Sequence, residues 1–236
     1  MFQTNPFALI VLFVGLSLLP FVAMVATSYL KIVVVMSLIR NALGIQSIPP
    51  NMVVNALAMI LSFYIMAPVA SQSWNIIAER QKAAVLKPAV ASGQISGEAE
   101  SSTMSLGLPV FDYAAAAEPF REWLSAHTAP RERAFFVQTA ETIWGKDDNP
   151  AVVDPESFYI LLPSFCVSEL TKAFEIGFLV YLPFIAIDII VSNILLAMGM
   201  MMVSPVTISL PFKLLLFVMV NGWTLLIQGL VRGYAI

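Results

Sequence analysis

Long stretches without charge constrain this chain more than any motif does. No charged residue occurs before Lys31, and none lies between Arg40 and Glu79. Toward the other end, residues 189–212 and 214–231 are again uncharged. Each run is close to or above the roughly 20 apolar residues that a helix needs to cross bilayer hydrocarbon. Hydrophobic residues make up 59% of the chain and charged residues 11%, which lies outside the range of a water-soluble globular domain. The predicted fold is an all-α membrane protein with four or more apolar helices.

Between the two apolar regions the composition changes. Residues 71–157 hold Arg80, Lys82, Lys87, Arg121, Arg131, Arg133 and Lys146, and all the acidic residues except Glu169, Glu175 and Asp188. Three segments follow: an apolar helical hairpin over 1–70, a polar domain over 71–157, and a second apolar helical region over 158–236. Residues 89–109 are rich in Ser, Gly and Ala and read as a linker. Beyond it, Phe120, Trp123 and Leu124 recur at i, i+3, i+4, and Phe136, Ala140 and Ile143 follow a similar helical spacing.

Loop charge gives an orientation. The short connector between the first two apolar segments carries Lys31 and Arg40 and no acid, so the positive-inside rule places it in the cytoplasm. The middle domain is then periplasmic in a bacterium. No Lys or Arg precedes the apolar run at 1–26 and no small-x-small cleavage site follows it, so the segment is expected to stay in the mature chain.

The sequence carries no P-loop, GxGxxG, HExxH or GxSxG pattern, and one histidine cannot build a histidine metal site by itself. No enzyme activity, cofactor, metal or nucleic-acid partner is expected. His127, beside Thr128 and Pro130, reads as a surface residue, and Asp147-Asp148-Asn149 before Pro150 reads as a solvated turn. Cys166 is alone, so no intramolecular disulfide can form.

Ionisable residues within or beside the apolar regions are more informative, because a charge there is costly unless paired. They are Lys31, Arg40, Glu169, Lys172, Glu175, Asp188 and Lys213. Glu169, Lys172 and Glu175 step by three and can pair locally along a helix. Asp188 and Lys213 lack a sequence-local partner of opposite sign, so each needs one from another helix or another subunit. A second unusual feature is Met198-Gly199-Met200-Met201-Met202. On composition alone it is flexible packing or a lipid-facing surface. Gly199 and Pro205 bracket it, however, and place the methionines at a bend between two apolar helices. Asn41-Ala42-Leu43-Gly44 and Ser47-Ile48-Pro49-Pro50-Asn51 likewise end one helix and begin the next. Gly229 and Gly233 form a small-xxx-small pair suited to close helix contact.

The run from Thr27 through Ser28-Tyr29-Leu30-Lys31 to Arg40-Asn41-Ala42-Leu43-Gly44, followed by Pro49-Pro50-Asn51, resembles the SctR/FliP family of type III secretion export-gate subunits. A second set is similar to the same family: Ser168-Glu169-Leu170, Ala173-Phe174, Ile176-Gly177-Phe178, Leu182-Pro183-Phe184, Asp188, Gly199-Met200-Met201-Met202 and Pro211-Phe212-Lys213. The two sets cover both apolar regions, while residues 71–157 match only in position and polarity.

The resemblance implies a non-enzymatic channel at the bacterial inner membrane. Five copies would join smaller S-type and T-type subunits in a helical ring, and unfolded secreted proteins would pass through its centre. Met200, Met201 and Met202 match the family's methionine gasket. Glu169 and Lys213 match positions that pair between adjacent subunits. Lys31 and Asn55-Ala56-Leu57-Ala58 look more like the virulence-type injectisome branch than the flagellar one. Asn221-Gly222-Trp223 departs from a family pattern with Asp at the first position. The competing classes are a stand-alone secondary transporter, which would show repeated halves, and an intramembrane enzyme, which would need a catalytic pair. Neither feature is present in the sequence.

Overall fold

The computed structural model describes residues 6–45, 48–86, 113–144 and 154–235. The linker expected at 89–109 and the turn at Asp147-Asp148-Asn149 lie outside them. Among the described residues the chain is helical, with no strand. Its elements are α1 (Pro6–Val25), α2 (Tyr29–Ala42), α3 (Asn51–Leu86), α4 (Tyr113–Ala116), α5 (Glu118–His127), α6 (Pro130–Trp144), α7 (Phe158–Ala197), α8 (Pro205–Met219) and α9 (Gly222–Arg232).

Two of these helices, α3 and α7, are long and apolar enough to cross a membrane. The number rises to four if each of two bent pairs is one span: α1 with α2, bent by 57°, and α8 with α9, bent by 59°. At a rise of about 1.5 Å per residue, the 36 residues of α3 and the 40 of α7 extend roughly 54 and 60 Å. Bilayer hydrocarbon is only about 30 Å thick, so a large part of each must stand outside it. The boundary expected at 70/71 falls inside α3, which runs through it without a break. Backbone hydrogen bonding does not depend on side-chain polarity, and no Gly or Pro occurs between Pro68 and Leu86 to stop the helix.

The core is organised around α2. Ile32, Val35, Met36, Ile39 and Ala42 repeat at helical spacing and are fully buried. They pack with Val54 and Ala58 of α3, Ala173 and Phe184 of α7, Phe217 of α8, and Leu226 and Leu230 of α9. Burying one such aliphatic side chain is worth about 1.5–3 kcal/mol. The contact between α2 and α7 is unusually close at one point: a Cβ on Gly177 would lie 2.3 Å from Leu38 Cδ1.

A second, smaller core joins the middle segment to the start of α7. Leu124 of α5 is buried with Leu161 and Phe165 of α7, and Phe120 and Trp123 pack around them. The spacing read at Phe120, Trp123 and Leu124 is the buried face of α5. In α6, by contrast, Ala140 is buried while Ile143, one turn later, is exposed.

Large parts of the apolar surface have no cover among the described residues. Met52, Phe63 and Tyr64 on α3 and Phe212, Val218 and Met219 on α8 all stand exposed. A Cβ built on Gly229 would likewise meet nothing within 4 Å, so among the described residues the close contact expected at Gly229 and Gly233 is not made against another helix.

Candidate functional site: a methionine tip above two buried charge clusters

The helix α7 ends in a tight backbone motif. Gly199 adopts a left-handed φ of 74°, Gly199 N–H donates to Leu196 O at 3.0 Å, and Met200 N–H donates to Leu195 O at 3.0 Å. This pattern satisfies the last carbonyls of a helix and requires a residue that tolerates positive φ, which is the role of Gly199. Pro205 then opens α8. Residues 198–204 therefore form the tip of a hairpin with α7 and α8 as its arms. Met200 is 43% exposed, Met201 82% and Met202 101%, so the last two side chains project freely.

Below the tip, the two arms are tied by charge. Lys213 Nζ of α8 lies 2.6 Å from Asp188 Oδ2 of α7 and donates to Ala42 O at the end of α2 at 3.0 Å. Ser209, one turn earlier on α8, donates from Oγ to Asp188 Oδ1 at 2.5 Å. A lysine at a helix C-terminus satisfies an orphan carbonyl and complements the helix dipole. Lys213 and Ser209 are buried, while Asp188 is about one-third exposed.

The second cluster surrounds Glu169, which is completely buried. Its Oε2 lies 3.2 Å from Lys31 Nζ of α2 and accepts a hydrogen bond from the Tyr234 hydroxyl, and its Oε1 lies 3.3 Å from Lys172 Nζ. Lys31 Nζ also sits 3.5 Å from the centroid of the Tyr234 ring, a cation–π contact. Lys172 donates to His127 O at 2.7 Å, and the His127 ring lies tilted against Trp123 and Tyr234, with centroids 4.7 and 5.2 Å away. The cluster thus joins α2, α5, α7 and the segment after α9. Burial pushes the Tyr234 hydroxyl well above its ordinary value, and the neighbouring Glu169 carboxylate adds to the effect.

These geometries bear on each candidate residue. Asp188 and Lys213 find each other on neighbouring helices of one chain. Glu169 and Lys213, expected to pair between subunits, each have partners within the chain: Lys31, Lys172 and Tyr234 for the first, Asp188 and Ala42 O for the second. Within the chain Glu169 is fully buried and Lys213 nearly so. Lys31 is no loop charge: it is buried against Glu169, so Arg40 alone supports the orientation drawn from the connector. Arg40 ties that connector, donating from Nη1 to Pro49 O at 3.2 Å and to Asn51 Oδ1. Lys172 pairs with Glu169 one turn away, while Glu175 is exposed.

His127 departs from its reading as a surface residue, being only 7% exposed. Its burial depends on Tyr234 and α7, which are distant in sequence. Tyr234 and Ser209 carry no motif that marks them, although Ser209 lies four residues before Lys213 and so shares its helix face. Asn221, the departure from the family pattern, has a backbone role. It sits at φ 52° between α8 and α9, a left-handed position that Asn and Asp tolerate better than most residues. Among the described residues, no group of three or more His, Cys, Asp or Glu could hold a metal ion.

Residues 12–230 match the model of the FliP family. The chain belongs to the FliP family. The matched span includes both charge clusters except Tyr234, together with the methionine tip. Across 227 residues this FliP-family chain is 46% identical to the hypersensitivity response secretion protein HrcR of Ralstonia nicotianae, covering 96% of each chain. It is 48% identical over 226 residues to the Yop proteins translocation protein R of Yersinia pestis, with 96% of this chain and 95% of that protein covered. It is 41% identical over 231 residues to the virulence protein YscR of Salmonella typhimurium, covering 98% of each.

Proposed function

We propose that this chain is a core subunit of a type III secretion export gate, of the virulence-type injectisome branch. Copies of it, five in the family's pattern, would assemble with the smaller S-type and T-type subunits into a helical ring at the bacterial inner membrane. Unfolded polypeptides would pass through the centre. The observation that carries this reading is the hairpin tip, where Met201 and Met202 project from a backbone turn fixed by Gly199. Thioether side chains are unbranched and polarisable, so a ring of them can close on itself and still yield around polypeptides of different shape.

Two further observations support it. The apolar faces left bare on α3 and α8 need cover, and burial against other subunits removes them from water as well as lipid does. The relatives named for hypersensitivity-response secretion, Yop translocation and virulence favour the injectisome branch. On this reading the connector with Arg40 is cytoplasmic and α4–α6 lie on the periplasmic side.

The test has two parts. Purified in detergent with its partners, the chain should run as a ring-sized oligomer that captures the smaller subunits, and a stable monomer that captures none would sink the proposal. In cells carrying the whole apparatus, replacing Met200, Met201 and Met202 with Gly should raise small-ion leakage severalfold at normal assembly. Unchanged leakage would reduce the methionines to packing.

A further inference from the structure

The contact among Asp188, Ser209 and Lys213 is placed where a seal would need support. Asp188 lies nine residues before the end of α7, about 14 Å below the tip, and Ser209 and Lys213 lie roughly 6 and 12 Å along α8 from Pro205. Beyond Ser209 the arms continue to a tip whose methionines touch little else in the chain. Both oxygens of Asp188 are engaged by α8, one by the Ser209 hydroxyl and one by the Lys213 ammonium. That two-point attachment fixes the rotation of the carboxylate as well as the distance between the arms. Lys213 extends the tie to Ala42 O, at the end of α2, whose inner face lies in the main core. Gly44, two residues later, faces α8: a Cβ built there would lie 4.0 Å from Val206 Cγ1 of that helix. The hairpin is therefore referenced to α2 as well as braced across itself.

We infer that Asp188, Ser209 and Lys213 are positioning residues that hold the Met200–Met202 tip at a fixed height and angle, with the end of α2 as the reference. A side chain as adaptable as methionine can fill a variable gap only if its backbone is steady. The backbone of the tip is steady at the Gly199 turn, and the three-residue tie steadies the arms that carry it. This rests on the gasket reading above. Loss of the tie lets the arms rotate or spread, and the methionines of neighbouring copies then meet out of register.

The experiment measures small-ion leakage per assembled complex in cells carrying the whole apparatus. Variants are Ser209→Ala, Ser209→Thr, Asp188→Asn and the Met200–Met202 triple glycine, with assembly quantified by purification of the complex. Ser209→Ala and Asp188→Asn are expected to assemble at near-normal amounts and leak severalfold more than the parent, and Ser209→Thr, which keeps the hydroxyl, to leak less than Ser209→Ala. A tie that served stability alone would lower the amount of complex without changing leakage per complex. Triple-glycine complexes that leak while both tie variants assemble and stay sealed would overturn the inference and leave the gasket standing. A sealed triple-glycine complex would instead remove the gasket reading itself. Loss of assembly in both Ser209→Ala and Asp188→Asn would make the contact a folding element and overturn its positioning role.

Discussion

Lys31 Nζ and Glu169 Oε2 meet at 3.2 Å in a place where neither side chain reaches solvent, with the Tyr234 ring against the ammonium. Desolvating two charges costs several kcal/mol, and their attraction offsets this only while both are present and hydrogen-bonded. Glu169→Ala or Lys31→Ala alone should therefore destabilise the folded chain by about 3–5 kcal/mol, whereas an apolar pair at both positions should recover most of that. The reversal Lys31→Glu with Glu169→Lys should regain more stability than Glu169→Lys with Lys213→Glu, because Lys213 is occupied by Asp188. Thermal denaturation of the purified chain in detergent checks this, and better recovery by the second reversal would point to Glu169 and Lys213 as partners between copies.

The approach of α2 to α7 gives a prediction with a built-in rescue. A methyl group on Gly177 would lie 2.3 Å from Leu38 Cδ1 and 3.3 Å from Leu38 Cβ, so the neighbour must move. Gly177→Ala should cost about 1–3 kcal/mol, in the range for overpacking a core. Leu38→Ala opens room and should make the Gly177→Ala change nearly neutral in its background. Additive costs in the double variant would show that the two helices do not meet there.

The ends of the helices were legible because Gly and Pro act locally. Gly44 and Gly199 stand at φ 77° and 74° just after α2 and α7, and Pro205 opens α8. Partners of the buried charges were not legible. Lys31 and Glu169 are separated by most of the chain, and only the packing of α2 on α7 decides that they meet. At position 70 composition changes while α3 continues, because the helix follows backbone hydrogen bonding and not side-chain polarity. Composition misled at His127, whose sequence neighbours look polar although Trp123 and Tyr234 enclose the ring. The methionine cluster could be placed at a bend from its flanking residues, but the tie beneath it needs coordinates, since Ser209 lies 21 residues from Asp188.

Asn221 tests whether a departure from the family pattern carries charge or backbone geometry. At φ 52° the left-handed conformation costs about 1–2 kcal/mol for residues other than Gly, Asn and Asp. Asn221→Asp and Asn221→Gly should fold with stability within about 0.5 kcal/mol of the parent, while Asn221→Val should lose about 1–2 kcal/mol. The adjacent Gly222 is constrained differently, because a Cβ there would lie 2.3 Å from the Phe217 ring. Gly222→Ala should therefore disturb the bend between α8 and α9 more than Asn221→Gly does. Detergent melting curves of the four variants decide it.

His127 gives the docking of α5 a dependence on pH. Trp123 O can only accept, so Nδ1 carries the proton that bridges the 2.8 Å between them, while Nε2 is buried with no hydrogen-bond partner among the described residues. Burial lowers the proton affinity of the imidazole below that of a free histidine; the bond to Trp123 and the Glu169 carboxylate oppose this, and Lys172 and Lys31 add to it. The unfolded chain thus binds a proton more readily than the folded one, and stability rises with pH across the interval between the two values. The contribution is complete above about pH 6.5 and declines as the pH falls below it, by at most about 1.4 kcal/mol per unit, until the folded imidazole also titrates. Hydrogen exchange in α5 should accelerate between pH 7.5 and 5 after correction for the intrinsic rate. His127→Gln, which cannot acquire a proton there, should flatten that acceleration, and an equally steep response in this variant would assign the pH dependence to another group.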